Sequence, residues 1–316
     1  MTAGVSAASV RAERWRLRAR GARQFGRRFM RRGDGVAGVV ILLIFTVLAI
    51  APGLFVGPLE TVTTASGTTA FEPPSAQHIF GTDHQSRDML NLTIHGARVS
   101  MVIGLLATLI TVLLGAVLGI VSGFIGGMTD SSIMRVTDFF LVLPTFVLAI
   151  ILAPIILDIV GTDAEIFGIQ ATLIVIVIVI GITSWASTAR VIRSQTLSIR
   201  ERMFVDRARV IGSGSGHIMR RHIMPNVVNL IVANTVLIFA GAVFTETTLA
   251  FIGLGDPFQP SWGQLLNSAQ SSGAPGLGAW WVIAPPAACV VLVILAFTLV
   301  GNALDDILNP KSAGRR

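Results

Sequence analysis

The sequence predicts an all-α, polytopic membrane protein folded as a bundle of six transmembrane helices. Only 13% of the 316 residues are charged and 53% are hydrophobic, whereas a soluble domain carries about 25% charged residues. Six apolar stretches are each long enough to cross a bilayer core of about 30 Å as a helix. They are residues 36–56, 99–122, 133–157, 171–189, 227–252 and 281–303.

Basic residues orient these six spans. With the N-terminus inside, every Lys and Arg except Arg87 and Arg98 falls on the cytoplasmic side, as the positive-inside rule requires. We therefore expect a multi-pass protein of the cytoplasmic (inner) membrane with both termini in the cytoplasm. The expected divisions are an Arg-rich cytoplasmic tail, the first transmembrane helix with an outer loop, a membrane core with a long cytoplasmic loop, and a cytoplasmic C-terminal tail. Their bounds are 1–35, 36–97, 98–303 (loop 190–226) and 304–316.

The second span contains a face of small residues. Gly115, Gly119 and Gly123 recur every fourth residue, which places them on one side of a helix. Small residues at such spacing allow a second helix to approach closely in lipid. The pattern predicts a packing seam, either at the centre of the bundle or between two subunits.

The third span contains charges and a proline. Arg135 and Asp138 are three residues apart and are therefore expected to pair on one helix face. Pro144 lacks a backbone N–H and is expected to kink the helix. The fourth span is rich in β-branched residues, but it is longer than the usual strand of 3–10 residues and is predicted to be helical.

The fifth span contains Glu246, near its outer end. We expect water to reach this carboxyl group and its bonds to cap a helix or join two helices. A proton relay needs several ionisable groups at mid-depth, and the spans show no such chain. His78, His84 and His95 share one outer loop and leave a weak metal site open there, although their spacing matches no metal motif.

Two further classes of site are disfavoured by the sequence. There is one cysteine, so an internal disulfide or a cysteine metal site is excluded. There is also no G-x-x-x-x-G-K-[ST] motif, so the chain cannot bind ATP in the P-loop manner.

The cytoplasmic segment 190–226 predicts a helix–turn–helix at the inner face. Helix-forming residues run to Ile211, Gly212 supplies a cap or tight turn, and a second helical stretch is expected to end at Pro225. Such an element suits docking of a cytoplasmic partner. An ordinary basic loop is the alternative.

This segment resembles the E-A-A-x-x-x-G loop of ABC importer permeases. The residues that carry the likeness are Val205, Asp206, Arg207, Ala208, Gly212 and Pro225. Asp206 stands where the family usually has Glu, and Arg207 stands where it has the first Ala.

Three other blocks resemble the C-type permeases of dipeptide, oligopeptide and nickel importers. They lie in the outer loop, across the second and third spans, and at the end of the fifth span. Their residues are Gly81, Thr82, Asp83, Arg87, Asp88, Gly119, Gly123, Asp138, Glu246, Gly253, Trp262 and Gly263. Ser86 replaces a glycine of the outer-loop signature. The likeness covers about residues 35–310 and implies the type I ABC importer permease fold.

The resemblance also implies a function and partners. The chain would be a non-enzymatic permease subunit for di- and oligopeptides, paired with a homologous B-type permease as a heterodimer. Two ATP-binding subunits, or one fused ATPase, would receive the helix around residues 203–217. They would bind ATP and Mg²⁺, whereas this chain would hold no cofactor or metal. An extracytoplasmic binding protein would deliver the substrate. Membrane lipid is a further partner, and nucleic acid is not.

Other functions remain open at this point. A nickel or glutathione importer permease is the nearest alternative, because selectivity rests largely with the delivery protein. A proton-coupled secondary carrier would usually show internal repeats, and no clear repeat is present. An intramembrane protease would need catalytic side chains within the spans, and no span contains His. Residues that bind substrate are not identified by the sequence.

Overall fold

The computed structural model describes residues 23–24, 26–59, 69–161, 164–166 and 169–308. Most of the Arg-rich tail and residues 309–316 lie outside this part. Within it, five helices are long and apolar enough to cross a membrane, and there are six crossings when a bent pair of helices is counted as one span. The predicted all-α bundle with six crossings is therefore confirmed, with one crossing built differently from the others.

A long loop separates the first two described helices, and the connections between the later ones are shorter. In chain order they are α1 (Gly33–Ile50), α2 (Met89–Ile125), α3 (Gly127–Val142), α4 (Thr145–Val160), α5 (Ala171–Arg200), α6 (Met203–Val210), α7 (Ser215–Ile218), α8 (Met224–Leu249), α9 (Trp262–Ser271) and α10 (Trp280–Leu308). Two π-helical turns, Met219–Ile223 and Ala250–Leu254, join α7 to α8 and extend α8. A two-residue antiparallel hairpin, β1 (Glu165–Ile166) with β2 (Ile169–Gln170), precedes α5.

The most extensive helix contact is between α2 and α5. A Cβ atom on Gly115 would lie 2.5 Å from Thr188 Cβ, and one on Gly119 would lie 2.6 Å from the Ala189 carbonyl oxygen. Gly123 meets Thr196 in the same way. The glycine face therefore packs within this chain, at the centre of the bundle, because only residues without a side chain permit this approach.

Ion pairs tie α3 to the inner half of α5. The Arg193 guanidinium donates from Nε and Nη2 to the two carboxylate oxygens of Asp130, both at 2.6 Å. Asp138 accepts a hydrogen bond from Arg190 Nη2, also at 2.6 Å. The predicted Arg135–Asp138 pair is wrong, since Asp138 instead joins the neighbouring helix.

The third predicted span is not continuous. Helices α3 and α4 are bent by 92° at Leu143 and Pro144. Leu143 is extended, with φ −80° and ψ 130°, because a residue before proline is disfavoured in the helical region. The expected kink at Pro144 is thus a complete break, and the single helix predicted over residues 133–157 is wrong.

Helices α1, α9 and α10 pack together on one side of the bundle. Helix α1 packs along α10, and α9 packs on α10, α8 and α2. The Trp262 side chain is completely buried and meets the ring of Phe45 edge to face, with 5.5 Å between the ring centroids. An aromatic pair of this kind contributes about 0.5–1.5 kcal/mol beyond burial alone.

The glycine packing gives a stability prediction. Gly119→Ala places a methyl group 2.6 Å from the Ala189 oxygen and 2.9 Å from Ile192 Cβ, so we expect a loss of about 1–3 kcal/mol through overpacking. Gly241→Ala is the matched control, because no atom lies within 4 Å of its added Cβ. Thermal unfolding in detergent should show a lower melting temperature for Gly119→Ala only. Equal melting temperatures would contradict the close approach.

Candidate functional site

Helix α6, on the side predicted to be cytoplasmic, is anchored by one face. Val205 is fully buried and Ala208 is nearly so. They pack with apolar side chains of α2, α5 and α7, among them Phe124 and Ile192. The Arg209 guanidinium also lies over the Phe124 ring, 5.6 Å from its centroid. The short helix is therefore fixed to the inner ends of α2 and α5.

The opposite face of α6 is exposed and largely apolar. Val210 is 88% exposed and Ile211 is 82% exposed, and Met203 lies beside them. Asp206 and Arg207 line the same shallow depression. The Asp206 carboxylate accepts a hydrogen bond from Arg209 Nη1 at 3.2 Å, and its charge lies in the first turn, where the helix dipole favours an anion.

The turn after α6 depends on Gly212, whose φ is +85°. Its N–H donates to the Arg209 carbonyl, and the Ser213 N–H donates to the Ala208 carbonyl. This pair of bonds is a Schellman cap, which needs a left-handed residue at the position of Gly212. No atom lies within 4 Å of a Cβ built there, so backbone conformation and not space demands glycine.

The helix that follows passes through Pro225 without ending. The prediction that the second helical stretch stops at this proline is wrong, because the π-helical turn Met219–Ile223 leads directly into α8. A wider turn before a proline accommodates the missing N–H and the crowded carbonyl. The Asn226 side chain donates to the His222 carbonyl at 2.6 Å, which supplies a further bond at this point.

In the outer loop, Thr82, Asp83, Arg87 and Asp88 form one hydrogen-bond network. Asp83 is 2% exposed; its Oδ1 accepts the N–H groups of Gln85 and Arg87, and its Oδ2 pairs with the Arg87 guanidinium. Asp88 caps the start of α2 by accepting two backbone N–H groups. The loop thus sets the position at which α2 begins.

Two further hydrogen bonds hold this loop in place. Trp281 Nε1 of α10 donates to the Thr82 carbonyl at 3.3 Å. The Gly81 carbonyl accepts the Met89 N–H at 3.0 Å. Ser86, which replaces a glycine of the related signature, has φ +60°, a conformation that glycine adopts more easily. In addition, backbone and hydroxyl bonds from Thr69 lower the pKa of the exposed Glu72 carboxyl.

The outer-loop histidines do not converge on one point. His78 Nδ1 lies 2.8 Å from Asp88, His95 Nε2 lies 3.1 Å from the Gly57 carbonyl, and His84 Nδ1 lies 3.5 Å from Ser268 Oγ. No group of three metal-ligating side chains occurs in the part of the chain that the structure describes. These histidines act there as separate hydrogen-bond partners.

Glu246 is buried, with 1% exposure, so the expectation that water reaches it is wrong. Its Oε2 atom accepts a hydrogen bond from Thr247 Oγ1 at 3.3 Å, and the hydroxyls of Ser100 and Ser261 lie beside the carboxyl group. Ser100 belongs to α2 and also accepts the Trp262 N–H at 3.2 Å. Glu246 therefore joins α8, α2 and the start of α9.

The glycines near Glu246 complete this outer junction. A Cβ atom on Gly263 would lie 2.3 Å from the Thr247 carbonyl oxygen, so α9 crosses α8 in direct backbone contact. Gly253, with φ +93°, interrupts the π-helical turn that ends the α8 helix. Trp262 Nε1 donates to the Thr93 carbonyl at 3.0 Å, which fixes α9 to α2.

A polar cavity lies among α2, α4, α5 and α8. Its volume is about 220 Å³, and it is lined by several hydroxyl groups but no charged side chain. The hydroxyl residues are Thr111, Thr145, Ser184, Ser187 and Thr245. The sequence analysis identified no such cluster, because these hydroxyls come from four different helices and share no spacing.

The contacts of Asp130, Arg193 and Arg200 are likewise not predicted by the sequence analysis above. Arg200 Nη1 donates to the Gly123 and Phe124 carbonyls at 3.4 Å, at the C-terminus of α2. One sequence pattern would have indicated these contacts. It is an arginine one helical turn beyond an apolar span, together with an acidic residue in the preceding connection.

Comparison with known proteins agrees with this architecture. The family model described as "Binding-protein-dependent transport system inner membrane component" matches residues 115–314. The dipeptide transport system permease protein DppC of Bacillus subtilis is 34% identical over 289 residues, covering 90% of this chain and 84% of its own length. Two putative peptide permeases of Brucella suis are each 33% identical over 90% of this chain, covering 89% and 90% of their own lengths. The chain belongs to the family of binding-protein-dependent transport inner membrane components, a family of permeases and not of enzymes.

Proposed function

We propose that this chain is a permease subunit of an ATP-driven importer that carries di- or oligopeptides across the cytoplasmic membrane. Family membership and the names of the relatives support the class of transporter and the substrate. The proposed orientation has both termini in the cytoplasm. It is supported by the placement of the basic residues, of which only Arg87 and Arg98 fall on the outer side.

The observation that carries the proposal is the two-sided character of α6. On one face of α6, Val205 and Ala208 are buried against the ends of α2 and α5. On the other face, Val210 and Ile211 expose large apolar side chains. Exposed apolar patches rimmed by charge mark protein interaction sites. We assign this face to the ATPase subunits, which would bind ATP and Mg²⁺ themselves.

The contacts of α6 provide a route for coupling. Only Glu201 and Arg202 separate α5 from α6, and the buried side of α6 packs on the ends of both α2 and α5. A displacement of α6 by the ATPases would therefore shift the pair of helices that forms the centre of the bundle. Substrate access would change with this shift.

The remaining partners follow from the same proposal. A homologous permease would complete the path as the second half of a heterodimer. An extracytoplasmic binding protein would dock on the outer surface, where the loop around Asp83 and the junction at Trp262 hold a rigid platform. Burial of Asp83 and Trp262 supports a structural role for both residues.

The first functional prediction concerns the turn after α6. Gly212→Val should leave membrane insertion intact but uncouple ATP hydrolysis from uptake, because a β-branched residue disfavours φ +85° by about 1–2 kcal/mol. Gly212→Asn should retain more uptake, since Asn tolerates the left-handed region. Gly214→Val is the control, because Gly214 has φ −67° and open space around it. Normal coupled uptake by Gly212→Val would contradict the role of this turn.

The second prediction tests the exposed face of α6. Replacing both Val210 and Ile211 by Asp should reduce ATPase co-purification at least about tenfold, since burying unpaired charges in an interface is strongly unfavourable. The same double change at Leu54 and Phe55, which are 78% and 55% exposed after α1, is the control on the opposite side. ATPase binding that survives the α6 change, or falls equally in the control, would argue against this interface.

The third prediction tests the substrate. Proteoliposomes that contain this permease, its partner permease and the ATPases, with ATP on the ATPase side, should accumulate a radiolabelled dipeptide when the binding protein is supplied on the other side. Parallel assays measure the uptake of nickel and the uptake of glutathione in place of the dipeptide. ATP-dependent uptake of nickel or glutathione without peptide uptake would overturn the peptide assignment while leaving the importer class in place.

A further inference from the structure

The hydroxyl-lined cavity lies near mid-depth in the membrane. Ser184 follows the outer end of α5 at Ala171 by thirteen residues, which corresponds to about 20 Å of helix. Thr145 is the first residue of α4, fifteen residues before the outer end of that helix. The cavity is therefore well inside a hydrocarbon core of about 30 Å.

The break between α3 and α4 borders the same cavity. Here the last carbonyl groups of α3 and the first N–H groups of α4 have no intrahelical partners. Val142 beside the break is 81% exposed. Non-helical backbone at membrane depth is tolerated only where it is buried in protein or lines a water-filled space. The broken crossing and the hydroxyl-lined cavity therefore both indicate a water-filled space at this depth.

A second cavity lies between α4 and α9, beside the segment that follows α8. It has a volume of about 560 Å³ and includes Asp158, Gln264 and Asn267. The Gln264 Oε1 atom is buried and has no hydrogen-bond partner within the described residues. Pro154, which also lines this cavity, lies nine residues beyond Thr145 on α4, so the two cavities approach to about 14 Å along one helix.

Resting on the proposed function, we infer that the hydroxyl-lined cavity beside the break is this chain's share of the peptide path. The larger outer cavity is the entrance to it. A volume of about 220 Å³ is below the usual range of about 300–1,000 Å³ for a complete ligand pocket. It suits one wall of a path that a second permease closes.

The lining specifies how a peptide is held. Thr245 Oγ1 donates to the Gly241 carbonyl at 2.9 Å and Ser187 Oγ donates to the Ser184 carbonyl at 3.4 Å, so their oxygen lone pairs remain available to accept N–H groups. No charged side chain lines this cavity. Such a wall contacts the peptide backbone and is indifferent to side-chain charge.

Water access to the cavity is the first test. Cys289→Ala removes the single cysteine, and Ser184→Cys and Ser187→Cys are then introduced separately into the assembled transporter in nanodiscs. Labelling uses a trimethylammonium methanethiosulfonate, which reacts with the thiolate. The controls are Ile182→Cys, on the other face of α5, and Val291→Cys, on α10. Ile182 is 40% exposed and Val291 is 61% exposed.

We expect Ser184→Cys and Ser187→Cys to react at least about tenfold faster than both controls, in either the nucleotide-free or the ATP-bound state. The control thiols face lipid, where a thiol stays protonated and therefore reacts slowly. Equal or slower labelling in both states would overturn the path, even in a transporter that imports peptides. Fast labelling in a transporter that imports no peptide would instead overturn the proposed substrate and leave the water-filled path in place.

Loss of one hydroxyl tests the contact with peptide. Thr245→Val is expected to raise the KM for dipeptide uptake about 3–10-fold, the effect of losing one hydrogen bond. Thr248→Val is the matched control, because Thr248 also bonds the carbonyl four residues before it but does not line the cavity. Equal KM values for the two variants would contradict hydroxyl–peptide contact.

Discussion

The direct approach of α2 and α5 is the constraint on which the rest of the bundle depends. Lipid offers no hydrophobic drive for helix association, so these helices must gain stability from dense contact between their surfaces. Glycines at 115, 119 and 123 permit it by bringing backbone against Thr188, Ala189 and Thr196. The other elements are arranged around this pair. Helix α3 is attached through ion pairs to α5, α8 packs on both helices, and α6 rests on their inner ends.

The two ends of the bundle are held by different chemistry. At the inner end, apolar packing of Val205 and Ala208 is combined with arginine contacts to Asp130 and to the C-terminus of α2. At the outer end, buried hydrogen bonds around Asp83 and Glu246 predominate. Buried hydrogen bonds are stronger than those in water. The end that contains Asp83 and Glu246 is thus cross-linked mainly by polar contacts, and the end that contains α6 mainly by apolar ones.

The sequence predicted most of this architecture because membrane spans depend on length and hydropathy, which are local properties. The crossings, their order and the helix–turn–helix around Gly212 follow from such patterns. Departures occur where tertiary structure decides. Pro144 breaks its crossing completely, whereas Pro225 is absorbed by a π-helical turn, and the two prolines look alike in sequence. The surroundings of Glu246 depend on Ser100 and Ser261, which are distant along the chain.

The path residues escaped prediction for a related reason. Hydroxyl side chains are common in membrane helices and often donate a hydrogen bond to a backbone carbonyl of their own helix, as Thr245 and Thr248 both do. Only the relative rotation of the helices decides which of them faces a cavity. The coupling helix was easier to locate, because its glycine and its charges are confined to one short segment.

The helix that begins at Ser215 has a mechanical consequence. It continues to the break at Gly253, about 57 Å away, and joins the segment beside α6 to the outer cavity with no intervening loop. A π-helical turn lies near each end, at Met219–Ile223 and Ala250–Leu254, and wider turns of this kind are common at functional positions. In the proposed importer, a movement of the end near Ser215 would therefore reach the end near Ile252 through helix alone, with a π-helical turn at each end.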